Sequence, residues 1–147
     1  NIQLRRGSSD EAMAMVEAGL THVQRVGLSK ALSDFSLPSG PFVDRDLYLF
    51  TMDKRGLLTS HGARPELVGH PMPVDSTVNM EQFIADCWHR VEQGGGWVEY
   101  DIPSWQTGEM MRKVAYLAPL GEDQFIACGA YLVLMDAEPL AHMSAQA

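Results

Sequence analysis

A lysine stands inside an apolar, strand-like run. Lys113 belongs to Met110–Ala118, MMRKVAYLA, with Tyr116 three residues on. Two neighbouring runs carry aromatic residues, Trp97 and Tyr100 in Trp97–Ile102 and Tyr131 in Phe125–Val133. An ammonium among phenol hydroxyls and an indole suits a pocket for something small and anionic. In a partly desolvated cleft a lysine–carboxylate contact is stronger than in water. The plainer alternative is a lysine on an exposed strand face. Trp97, Tyr100 and Tyr131 equally suit a core, but buried O–H and N–H groups need partners that a ligand can supply. Gly129 has no side chain and could leave room for that ligand. His61, beside Gly62, could donate or accept a hydrogen bond at the pocket rim; a surface-loop histidine is its ordinary alternative.

Other chemistries find no pattern. His22, His70, His89 and His142 lack metal-ligand spacing, so no metal and no cofactor is expected. There is no HExxH, paired CxxC, GxSxG or phosphate loop. Gly94–Gly96 leads into a strand, whereas a phosphate cradle leads into a helix. The carboxylates form no recognisable acid–base pair. Cys87 and Cys128 could pair in an oxidising space or stay as two buried thiols.

The elements that position these residues follow from spacing. From Ser9, with Ser8 or Ser9 as cap and Asp10–Glu11 at the positive end of the dipole, a helix begins. Met13, Val16, Leu20 and Val23 form its apolar stripe, which Ala31 and Phe35 continue. This predicts one long helix to about Phe35, bent near Gly27, and the Ser36–Pro41 segment, with Pro38, Gly40 and Pro41, ends it. Asp46–Met52 and Leu57–Ser60 read as a hairpin around Asp53–Gly56. A Pro/Gly-rich loop with one helical turn at Pro65–Val68 follows, then a helix over Asn79–Gln93. Three strands, Trp97–Ile102, Met110–Ala118 and Phe125–Val133, make an antiparallel meander with turns at Pro103–Gly108 and Gly121–Asp123.

The expected fold is α+β: a long N-terminal helix packed on a five-stranded antiparallel sheet, the mid-chain loop and helix covering the other face as a lid. One domain spans residues 9–133, and 134–147 form a C-terminal tail. Strand alternation then sorts side chains. Leu47 and Leu49 fit the helix-packed face, which turns Tyr48 and Phe50 toward the pocket. Lys113 opposes Arg112 and also Tyr116, so Lys113 and Tyr116 meet one ligand only across a bulge, and no sequence signal marks one.

Composition sets the outer limits. The chain has 147 residues, 46% hydrophobic and 20% charged, as in a globular domain. A net charge of −8 without a basic patch argues against nucleic acid and anionic membranes. No apolar run nears the ~20 residues that span a bilayer. Starting at Asn1 without a signal-like segment, the chain is expected to be a processed form or part of a longer one.

The series DLYLFTMDKRG (Asp46–Gly56), HGARPELVG (His61–Gly69), GGWVEY (Gly95–Tyr100), KVAY (Lys113–Tyr116) and ACGAY (Ala127–Tyr131) resembles the single Cache domain. That family is the PAS-like extracytoplasmic sensor module of bacterial chemoreceptors and sensor kinases. The sequence departs from it at Val74–Val78, which lacks the usual glycine before the second helix. It also lacks the flanking transmembrane helices. The resemblance implies a periplasmic or extracytoplasmic place and a small ligand, commonly a short carboxylate, bound between sheet and lid. Tyr48, His61, Trp97, Tyr100, Lys113, Tyr116 and Tyr131, singled out above by residue type and strand position, are the candidate contacts. The resemblance also implies a homodimer through the first helix and a membrane-anchored signalling partner or parent chain. Two other readings stand beside it: a small lyase or isomerase using Lys113 and His61 as base and acid, and a ligand-free dimeric interaction module.

Overall fold

The structure, a computed structural model, describes residues 7–72, 80–103 and 109–131, with the side chains of Met80, Ile102 and Pro103 excepted. Helix α1 (Ser9–Val26) starts at a full capping box. The Ser8 hydroxyl accepts from the Glu11 N–H, and the Glu11 carboxylate accepts from the Ser8 N–H. Helix α2 (Leu28–Phe35) follows after a single residue. The expected long helix is therefore two. Gly27 takes φ 91° and ψ 160°, outside the helical region and open to glycine. Its N–H still reaches the Val23 carbonyl, and its own carbonyl still accepts from Ala31. The apolar stripe runs on while the axis turns.

Among the described residues six strands build the sheet, one more than expected: β1 (Val43–Asp44), β2 (Leu47–Asp53), β3 (Leu58–His61), β4 (Gly96–Pro103), β5 (Met110–Leu120) and β6 (Gln124–Tyr131). The addition is β1, a two-residue edge pairing at Val43–Tyr48 and Asp44–Leu47. The path is β1-β2-β6-β5-β4, with β3 also on β2 and every pairing antiparallel. The chain's first hairpin thus joins the last strand, and the meander completes the sheet. A register shift lies between Thr51 and Met52, on the β2–β3 pair. β5 pairs without interruption.

Alternation divides the core in two. On one face Leu47, Leu49, Ala118, Leu120, Ile126, Cys128 and Ala130 meet Ala12 and Val16 of α1 and Ala31 and Phe35 of α2. Gly19 lets α1 lie close to the sheet, since a Cβ there would sit 2.6 Å from Leu49 Cδ1. Phe35 is fully buried, and burial of such a ring stabilises by roughly 1.5–3 kcal/mol, enough to dock an eight-residue helix. On the other face Tyr48, Phe50, Met52, Tyr100, Ala115, Leu117 and Phe125 meet Phe83, Cys87 and Val91 of helix α3 (Met80–Glu92). A short 3₁₀ turn at Pro65–Leu67 sits where one helical turn was expected. Its following residues close the free side of β3, with Leu58 donating to His70 and Gly69 donating to Leu58. Cys87 and Cys128 are both free and buried, on opposite faces of the sheet. Burial pushes both thiols up to about 12, so neither is a reactive thiolate. Val74–Val78, the Ser104–Gly108 part of the meander's first turn, Leu132–Val133 and the C-terminal tail lie outside the described residues.

Candidate functional site

Lys113 is 1% exposed. It stands mid-β5, opposite Tyr100 of β4 and Tyr131 of β6. All three face α3, away from α1. Its Nζ donates to the Tyr48 hydroxyl at 3.0 Å, reaching across β6 to β2. The same nitrogen lies 4.5 Å from the ring centres of both Tyr48 and Tyr131, within cation–π range. Gly129 permits this reach. A Cβ there would stand 2.9 Å from Lys113 Cε and 3.2 Å from the Tyr100 oxygen. The room expected for a ligand beside Gly129 is taken by the lysine arm.

Among the described residues no carboxylate forms an ion pair with Lys113. A buried charge without a counter-charge is costly. Burial favours the neutral amine; the negative charge that Tyr48, Tyr100 and Tyr131 carry when ionised and the Tyr48 hydrogen bond act the other way, and the net direction is above the ordinary lysine value. The site therefore holds a fixed cation. Burial likewise raises the Tyr100 hydroxyl, which stays a neutral donor.

His61 is fully buried, not at a rim. Its ring lies 4.6 Å from that of Tyr48 and 6.3 Å from that of Phe50. The Arg64 backbone N–H donates to Nδ1 at 2.8 Å, so the ring proton belongs on Nε2. Burial first, then the Lys113 and Arg64 charges, push its pKa down to about 4. A protonated lysine and a neutral histidine make a poor base–acid pair, since a lysine base needs a lowered pKa.

Tyr48, His61, Tyr100, Lys113 and Tyr131 thus meet on the α3 side. Trp97 and Tyr116 do not join them. They pair across β4–β5 on the other face, rings 5.1 Å apart and 62° inclined, with Tyr116 against the α1-side core. The uninterrupted β5 register keeps Lys113 and Tyr116 on opposite sides. α3 supplies the expected lid, but its wall residues were not among the expected contacts. Phe83 lies edge-on to Tyr100 at 5.1 Å, and Cys87 sits one turn further along the same face; their four-residue spacing is the signal that marks it. An open groove of about 470 Å³ lies elsewhere, between the β2–β3 turn and α3, with Lys54, Arg55 and Trp88 among its walls and none of the site's residues.

With this geometry in hand, comparison with known proteins places the chain. The family described as single Cache domain 2 matches residues 9–139. The chain belongs to that family. A methyl-accepting chemotaxis protein from Vibrio parahaemolyticus is similar at TM-score 0.65 and 22% identity, over 83% of this chain and 86% of that one. A chain described under "Structural basis for carboxylic acid recognition by a Cache chemosensory domain" is similar at TM-score 0.59 and 19% identity, over 85% and 93%. A "periplasmic sensor domain of chemotaxis protein" gives TM-score 0.58 and 18% identity, over 85% and 90%. No curated protein sequence matches the chain. As a single Cache domain it is an extracytoplasmic sensor module and not an enzyme. No described helix is long and apolar enough to cross a membrane.

Proposed function

We propose that the domain senses a carboxylate of a few carbons, held between the sheet and α3 by Lys113. One observation carries this: a fully buried ammonium with no carboxylate partner among the described residues. A ligand carboxylate would supply the missing charge, and charge-assisted hydrogen bonds are the strong ones. Tyr48, Tyr100 and Tyr131 would supply hydroxyls, and the His61 Nε2–H a further neutral donor. Phe83 and Ala115 would give a small apolar wall. The structure described for carboxylic acid recognition by a related fold supports this class. Trp97 and Tyr116 have no contact role in this reading.

The test is a thermal-shift and calorimetric panel of two- to four-carbon carboxylates, each beside its amide and its amine. Carboxylates are expected to stabilise the domain, by about 2.7 kcal/mol at a hundred times Kd, while the amides leave it unmoved. Equal binding of an amide and its carboxylate would remove the reading.

The same reading includes a homodimer through α1, in the membrane-anchored parent chain or with a membrane-anchored partner. Val16 is buried against the sheet, but Ala14, Glu17, Ala18 and Thr21 form an exposed strip along the same helix. Multi-angle light scattering is expected to show a concentration-dependent dimer. A strict monomer at millimolar concentration, with and without ligand, would count against it.

A further inference from the structure

The ammonium of Lys113 sits against aromatic faces in the way a bound alkylammonium ion does in an aromatic cage. Two tyrosine faces stand 4.5 Å from it, and the Tyr48 hydroxyl accepts a hydrogen bond from it. The Tyr100 oxygen and the bare backbone of Gly129 line the arm. This is the composition of an aromatic cage for alkylammonium groups. Here the chain fills the cage itself. We infer that the Tyr48 and Tyr131 rings, with the Tyr100 hydroxyl beside the lysine arm, form a cation cage plugged by the protein's own ammonium, which makes Lys113 the residue that sets the sign of ligand charge. The inference rests on the proposed carboxylate reading only for the anion; the cage stands on its own geometry. With the plug in place, an incoming amine meets an occupied cage and a like charge. With the plug removed, the same tyrosines would accept a small ammonium ion.

Lys113→Ala deletes Cγ, Cδ, Cε and Nζ, which together match n-propylammonium. Calorimetry and thermal melts would compare wild type, Lys113→Ala and Lys113→Met with n-propylammonium, with 1-propanol as neutral control, and with propionate. Wild type is expected to ignore n-propylammonium. Lys113→Ala is expected to be stabilised by n-propylammonium and not by 1-propanol. Its propionate affinity is expected to fall by about 10-fold or more, and n-propylammonium is expected to restore most of that loss. Lys113→Met keeps the arm's bulk and is expected to take no amine. If Lys113→Ala does not fold alone, folding in n-propylammonium but not in 1-propanol supports the cage, and failure to fold in either overturns it. A folded Lys113→Ala protein that takes no amine, or takes 1-propanol equally, also overturns it. A wild type that binds no carboxylate, beside a Lys113→Ala protein that binds n-propylammonium, removes the carboxylate reading and keeps the cage. The opposite pattern removes the cage and keeps the carboxylate.

Discussion

Lys113→Ala is expected to abolish carboxylate-induced stabilisation while the domain stays folded. The ligand loses its one charged partner on the α3 side of the sheet. A hydrogen bond to a charged group contributes roughly 1.5–3 kcal/mol, so affinity should fall about 10- to 150-fold. Two opposing effects bear on the fold. Removing the arm opens a cavity between Gly129 and Tyr100, which destabilises. Removing a buried charge with no ion-pair partner among the described residues relieves a desolvation penalty, which stabilises. They offset in part, so a cooperative melt should survive. Tyr131→Phe should weaken binding less, because only the hydroxyl is lost. Calorimetry decides: unchanged affinity in Lys113→Ala would mean that the ammonium never meets the ligand.

A second large effect is expected from pH alone. His61 binds its proton near 6.5 in the unfolded chain and near 4 in the folded one. The unfolded state therefore holds more protons between those values, and stability must fall as pH falls. The contribution is complete above pH 6.5 and declines toward pH 4. A shift of this size corresponds to about 3 kcal/mol. Asp34, Asp53 and Glu11 are also held below the ordinary carboxylate range by their ion pairs and hydrogen bonds, so their losses come at lower pH. Urea melts from pH 7.5 to 4.5 should show the decline. His61→Asn keeps an acceptor near the Arg64 N–H and should flatten it. An equal slope in His61→Asn would assign the acid sensitivity to other groups.

Much of this site was legible in the strands, because alternation needs no long-range knowledge. Tyr48 and Phe50 fall opposite Leu47 and Leu49, and the core clusters follow that division. The same rule sets Trp97 against Tyr100, three residues apart, and Tyr116 against Lys113. It therefore separates Trp97 and Tyr116 from the other candidate contacts. What alternation cannot supply is the register between strands. That Lys113 faces Tyr131 and Tyr100 depends on pairings that no local signal specifies. The reach to Tyr48 depends on Gly129, whose missing side chain reads equally as space for a ligand or for a neighbour. The burial of His61 was hidden for a similar reason. Its cover, the turn at Pro65–Leu67, returns to β3 through backbone bonds from Gly69 and to His70. The break at Gly27 was masked because helical hydrogen bonds and apolar spacing persist on both sides of it.

The central claim is a position: a ligand carboxylate on Lys113, between the sheet and α3. A crystal structure with the tightest-binding carboxylate of the panel tests it most directly. The account predicts a carboxylate oxygen about 2.7–2.9 Å from Lys113 Nζ, with Tyr48, Tyr100 or Tyr131 hydroxyls on the same group. Ligand seated elsewhere, as in the open groove beside Trp88, with Lys113 still donating to Tyr48 as it does now, would contradict it.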